Sequence, residues 1–308
     1  TKAHINLIVC GSIFSMMTKI FKDKKEPLYN RQTRFMSIKP FTPAVLKEIM
    51  AEYNPNYTSE DLLALYSFTG GVAKYVQLLV DAGATTKTKM LNHIIKADSV
   101  FLGEGKAILI EEFGKDYGVY FSILSAIARD KTLRSEIEQI VGREIGGYLT
   151  KLEKEYEVIT KNQPIFEKSS TKNVRYTIED NFFTFWFRFI YKYNYMLEIE
   201  NYDAVKTIIN RDYETFSGKM LERYFKRVLM ESKAYTRIGS WWDRKGENEI
   251  DIVAENELND EAVFIEVKRK EENFDAIALN EKVDVFTRAT GKFKDYTVSQ
   301  RGLSMTDM

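Results

Sequence analysis

The sequence predicts a mixed α/β chain: a mostly helical N-terminal part, then a unit of three helices and a hairpin, then a C-terminal α/β unit. Three observations predict it. Over residues 43–96 apolar side chains recur at helical spacing, with caps and glycine breaks between runs. Over 120–178 three helical patterns are followed by two short β-rich runs. Near the C-terminus, residues 249–254 and 263–268 are β-branched-rich runs joined by the polar stretch 255–260, which reads as a hairpin.

Taken in order, residues 5–10 form a continuous apolar run ending at Gly11-Ser12 and followed by an apolar helical pattern, as when a buried parallel strand hands over to its helix. Such a strand needs neighbours that the visible sequence does not supply. The chain also starts at Thr1 with no methionine, so the expectation is a piece cut from something longer. A short strand is expected near residues 34–38. Helices follow over 43–53, 59–68 with Thr58 or Ser59 as N-cap, 72–81 after the Gly70-Gly71 break, and 85–96.

From Gly118 the pattern changes. Residues 120–128 form an apolar helix, Ser135-Glu136-Ile137-Glu138 has the form of a capping box opening a second, and 145–156 a third. Strands at 158–160 and 175–178 then enclose a polar loop, which completes a winged helix. As a DNA-binding module it would offer Tyr148, Lys151 and Lys154 to the groove and Lys168 and Lys172 to phosphates. The 10 basic and 10 acidic residues between Val119 and Asp180 leave a protein-interaction spacer as the alternative. Aromatics from Phe182 to Tyr193 at mixed spacings of three and four read as a bridging helix with a wide buried face. Trp241-Trp242 reads as an apolar anchor or a partner patch.

Composition narrows the classes. With 45 basic and 45 acidic side chains, no global field steers the chain to nucleic acid or anionic membrane. The single Cys10 excludes an internal disulfide framework and fits a reducing cytoplasm, and His4 and His93 are too far apart for a zinc cluster. The greasiest run, residues 182–191, is far short of the ~20 residues of a membrane span and carries Arg188, so no membrane partner is expected.

The chemistry concentrates in the C-terminal hairpin. Asp251 is followed fifteen residues later by Glu266-Val267-Lys268. Strand alternation points Glu266 and Lys268 to one face, with Ile265 and Val267 to the other. If Asp251 shares that face, two carboxylates would hold Mg2+ or Mn2+, with Lys268 orienting a water or stabilising charge on a phosphate. Glu222, in a helical pattern opening at Phe216, would lean over the strands as a third acid. This order of helix-Glu, strand-Asp and strand-Glu-x-Lys resembles the restriction-endonuclease-like, PD-(D/E)XK fold, which implies metal-dependent cleavage of DNA. The alternatives are solvent-facing charges on a half-buried sheet, or an inactive domain that binds DNA or protein as a regulatory module. From Ala204 onward 18 basic residues face 20 acidic ones, which argues against a tight grip on DNA.

Several motifs together, Leu7 to Met17, Pro27-Leu28-Tyr29-Asn30-Arg31, Ile38-Lys39-Pro40-Phe41 and Thr69-Gly70-Gly71-Val72-Ala73-Lys74-Tyr75, resemble the later motifs of the archaeal-type ATPases, AAA+/STAND-like P-loop proteins. The resemblance covers nearly the whole chain, including an ending at 302–308 similar to theirs. It implies the end of a P-loop NTPase core over 1–42, a helical lid over 43–117, a winged helix over 118–180, a bridging aromatic helix over 181–203, and a restriction-endonuclease-like domain over 204–308. It also implies ATP and Mg2+ in the intact protein, with Ser12 sensing the γ-phosphate and Arg31 and Lys74 as charge donors near the nucleotide. Ala73 stands where the family usually has proline. No G-x-x-x-x-G-K-[ST] loop is present, so this piece alone should not hydrolyse ATP. Read without the resemblance, Gly11-Ser12 is a strand-to-helix turn and Arg31 a surface charge.

Overall fold

The structure, a computed structural model, describes residues 8–9, 17, 20–168 and 170–308. Ser12, and most of the strand expected over 5–10, lie outside the described residues. The fold is mixed α/β, as expected. Helix α1 (Pro43–Tyr53) starts at Thr42, whose side chain accepts the Val45 N–H, with Pro43 at the first position. Helix α2 (Ser59–Thr69) starts with a reciprocal capping box between Thr58 and Asp61 and stops at Gly70, whose φ of +62° is cheap for glycine. Helices α3 (Ala73–Asp81) and α4 (Lys87–Ile94) follow.

Two features of this N-terminal part depart from expectation. Residues 34–38 are irregular and exposed; an extended segment without a neighbouring strand leaves its backbone groups to water. An additional helix, α5 (Val100–Phe113), buries Phe101, Gly105, Leu109 and Phe113. Its off-face positions Leu102, Ile108 and Ile110 are apolar too, which blurs the helical period.

The three-helix unit comprises α6 (Tyr117–Ile127), α7 (Arg134–Val141) and α8 (Gly146–Lys154), followed by β1 (Ile159–Asn162) antiparallel to β2 (Arg175–Ile178). The expected Ser135/Glu138 capping box is not formed. The N-cap of helix α7 is Leu133, two residues earlier, and the Glu136 carboxylate accepts the Leu133 N–H, while Glu138 accepts from Arg134 and from the Ile145 N–H. Asp180 caps α9 (Asn181–Phe185), which passes into a π-helical turn over Trp186–Tyr191 and then α10 (Asn194–Glu198). Phe182, Phe185, Trp186, Phe187, Phe189 and Ile190 are all buried, so the aromatic helix is core.

Helix α11 (Tyr202–Ser232) starts 14 residues before Phe216 and runs for 31 residues. It packs against α2 on one side and against the C-terminal sheet on the other. That sheet has the order β3 (Arg237–Trp242), β4 (Glu249–Asn256), β5 (Glu261–Val267), β6 (Thr297–Leu303). The first two pairings are antiparallel, and α12 (Ala276–Thr290) crosses from β5 to the parallel β6. One sheet face, with Ile252, Ile265 and Val267, joins a buried cluster continuous back to Leu46. The other, with Ile250, Val253 and Phe264, packs under Leu279, Val283 and Phe286 of α12. Among the described residues no helix is long and apolar enough to cross a membrane.

Candidate active site

A break in strand pairing positions Asp251. Gly239 pairs with Val253 but Trp241 pairs with Ile250, so β4 carries one more residue than β3 across this step. A bulge of this kind re-aims side chains and ends regular pairing. The β4–β5 register stops at Ile252 and Ile265, and beyond it the Asp251 carboxylate takes the Val267 N–H at 2.7 Å. Asp251 is thereby pinned across the end of β5, beside the Glu266-Val267-Lys268 segment.

Alternation along β5 acts as expected: Ile265 and Val267 enter the α11-side core, while Glu266 turns to the α12 side. Lys268 Nζ donates to Glu266 Oε1 at 2.8 Å. Lys282 of α12 donates to both carboxylate oxygens, at 2.9 and 3.1 Å. Glu266 is only 7% exposed, and a carboxylate that far out of water requires such compensation.

Electrostatics tie Glu222 to the same group. Burial first, and the Asp251 charge second, push the Glu222 carboxyl up to about 8, with Lys219 opposing. Burial also raises Asp251, to about 6; the Val267 N–H works against this and the Glu266 charge adds to it. At Lys268 burial favours the neutral amine, but the hydrogen bond and charge of Glu266 outweigh it and the net shift is upward, so the ammonium is retained. Asp251, Glu266 and Lys268 are therefore gathered at the end of β5 by hydrogen bonds, and Glu222 lies within electrostatic reach of Asp251.

Asp251 and Glu266 suit a divalent cation by chemistry: hard oxygen donors whose mutual repulsion a dication relieves. Among the described residues no three His, Cys, Asp or Glu converge as a metal-holding group. Mg2+ keeps several waters and takes as few as one or two carboxylates, the number that Asp251 and Glu266 supply.

Two participants escaped the sequence reading. Lys282 lies between Leu279 and Phe286 on the buried stripe of α12, and a lysine in that stripe was the available signal. Glu249, whose charge bears on both Glu222 and Asp251, pairs with Arg175 of β2 at 2.7 Å. No local pattern marks that contact.

The β1–β2 loop is seated on the sheet. Ile165 N–H donates to Ser240 O at 2.8 Å, and the Ile165 side chain is buried with Trp241 and Phe286. Trp242 Nε1 donates to Asn173 Oδ1 at 2.9 Å, and the Arg175 guanidinium lies 4.5 Å over the Trp242 ring. Both tryptophans thus serve as anchors between the hairpin unit and the sheet. Lys168 and Lys172 remain exposed at the rim and, with Arg134 and Arg244, line a cavity of about 780 Å3. Lys151 and Lys154 are exposed on the last turn of α8, whereas Tyr148 packs edge-on against Tyr120 at 5.3 Å. Arg31 is exposed, and Lys74 is paired with Glu104 at 2.6 Å; neither belongs to the carboxylate group.

Residues 186–279 match a family described as archaea bacterial proteins of unknown function, DUF234. That stretch holds Glu222, Asp251, Glu266 and Lys268 and stops three residues short of Lys282. The uncharacterized protein MJECL04 of Methanocaldococcus jannaschii is 32% identical over 280 residues, an alignment taking in 86% of this chain and 60% of that protein. The chain therefore spans less than two thirds of that relative's length. No solved structure matches.

Proposed function

We propose that the C-terminal unit is a metal-assisted nuclease domain of PD-(D/E)XK type, and that the chain is the C-terminal part of an archaeal-type P-loop ATPase whose nucleotide state governs it. The observation that carries the first half is the convergence of Asp251, Glu266 and Lys268 at the end of β5, with Glu222 of α11 electrostatically linked to Asp251. The helix with Glu222, the strand with Asp251 and the strand with Glu266 follow one another in the order that the motif resemblance implies; a crossover helix and the parallel β6 come after them.

Asp251 and Glu266 would hold Mg2+ or Mn2+, which supplies a Lewis acid for the phosphate and a more acidic water. Water oxygen bonds to phosphorus and gives up a proton to solvent, the bond from phosphorus to the leaving sugar oxygen breaks, and that oxygen takes up a proton from solvent. Lys268 keeps its ammonium, so its role is to stabilise charge on the phosphate rather than to act as a base. The Val267 N–H fixes Oδ2 of Asp251. Lys168, Lys172 and Arg244 at the wing rim, together with Lys151 and Lys154, are the cations proposed to contact DNA phosphates.

Support for the second half comes from the motif resemblance and from packing. Helix α2, in the lid of that architecture, lies against α11, and Arg269, next after Lys268, binds Glu60 of α2 and Ser217 of α11. A change in the lid thus has a route to the site. ATP and Mg2+ would bind in the P-loop part that this sequence lacks, with Ser12, Arg31 and Lys74 near the nucleotide, in a cytoplasmic protein consistent with its lone cysteine. The longer protein should bind ATP and this chain should not; equal affinity refutes the relay.

A second reading, an inactive module that binds DNA or a protein partner, is favoured by the two lysines that already occupy Glu266 and by the seated wing. Cleavage of supercoiled, linear and branched DNA with Mg2+ or Mn2+ separates the two. The nuclease reading expects Asp251→Asn and Lys268→Ala each to lower the rate by about 100-fold or more with the fold intact. No cleavage by the unaltered chain in either metal would leave the second reading.

A further inference from the structure

We propose that Lys282 is a resident counter-ion that competes with the divalent cation for Glu266, leaves the carboxylate when the metal binds, and is then free to contact the substrate phosphate. This inference rests on the nuclease reading above. Its physical basis is the way Glu266 is held. Lys268 takes Oε1 alone, at 2.8 Å, from the end of the same strand, whereas Lys282 reaches in from α12 and bridges Oε1 and Oε2 at 2.9 and 3.1 Å. The two lysines thus have different anchorage. Helix α12 is fixed by Leu279, Val283 and Phe286, but its lysine has four methylene groups between backbone and ammonium, enough to swing without moving the helix.

Charge balance gives the reason for competition. Asp251 and Glu266 carry two negative charges and Lys268 and Lys282 match them, while burial favours the neutral form of Glu222 and Arg175 pairs with Glu249. A dication added to a set already neutral meets repulsion from both ammonium groups, and Lys282 occupies both Glu266 oxygens. Withdrawal of Lys282 would free Oε2 outright and leave its ammonium available to the substrate phosphate, where a second positive charge would stabilise negative charge that develops in the transition state. In the metal-free protein the same contact keeps a carboxylate that is 7% exposed from being left uncompensated.

The test is a Mn2+ titration of the full chain, with free Mn2+ counted by electron paramagnetic resonance, on the unaltered protein, Lys282→Met and Lys282→Arg, and with melting curves to verify folding. Lys282→Gln stands in if the methionine variant fails to fold. The expected result is Mn2+ binding about tenfold tighter in Lys282→Met and unaltered in Lys282→Arg, because charge rather than packing opposes the metal. DNA cleavage at saturating Mn2+ should fall in Lys282→Met. Equal or weaker Mn2+ binding by Lys282→Met overturns the proposal, as does Lys282→Arg behaving like methionine. Tighter binding in Lys282→Met with no cleavage by any form keeps the competition at Glu266 and sinks the nuclease reading and the phosphate contact. Absence of Mn2+ binding in every form sinks both.

Discussion

Replacing Glu222 by glutamine should make the metal-free protein more stable at pH 8 and leave it nearly unaffected at pH 5. The Glu222 carboxyl sits at about 8 instead of its ordinary 4.5, through burial first and the Asp251 charge second. A carboxyl raised in this way binds its proton more tightly in the folded chain than in the unfolded one. Its contribution is fully present below about 4.5 and is lost as the pH rises through about 8. One pH unit of difference corresponds to about 1.4 kcal/mol, so the whole interval has a ceiling near 5 kcal/mol. Lys219 and local relaxation lower the cost of the charged form, and about 2–3 kcal/mol is the expected size. Glutamine has nearly the same shape and does not titrate. Urea unfolding of both proteins at pH 5, 6.5 and 8, at constant ionic strength and with chelator present, gives the difference free of pH effects common to both. A stability gap between variant and parent that stays constant from pH 5 to pH 8 would refute the reasoning, since it would mean that Glu222 is charged or neutral alike in both states.

Two further substitutions probe the scaffold. Gly105→Ala would put a methyl group 2.5 Å from Cδ2 of the buried Trp186, whose Nε1 donates to Leu102 O. Overpacking of this kind outweighs the roughly 1 kcal/mol of helix propensity gained, and a net loss of about 1–2 kcal/mol should be measured by chemical denaturation. Arg175→Met removes both the pair with Glu249 and the cation over Trp242, and should raise amide exchange across residues 163–174 while costing about 1–2 kcal/mol. Unaltered exchange there would mean that Ile165 and the Asn173–Trp242 hydrogen bonds hold the loop without Arg175.

What was legible in the sequence was local. The bounds of α1 and the capped start of α2 follow from Thr42-Pro43 and Thr58…Asp61, because caps act within four residues. Alternation in β5 sufficed to send Glu266 and Lys268 to one side. Helix α5 was not legible because apolar residues line more than one of its faces, and the 34–38 segment misled because strand-like composition does not guarantee a partner.

By itself the sequence determined the mixed α/β class, the helix-Glu, strand-Asp, strand-Glu-x-Lys order, and the absence of a phosphate-cradling loop, since each is a matter of residue type and short spacing. Tertiary structure decided the rest: the β4 offset that sets Asp251 across the end of β5, the Lys282 clamp on Glu266, and the Arg175–Glu249 contact that helps to seat the β1–β2 hairpin. Those last two contacts join residues 16 and 74 positions apart. Their geometry depends on how whole elements pack, which no local period encodes.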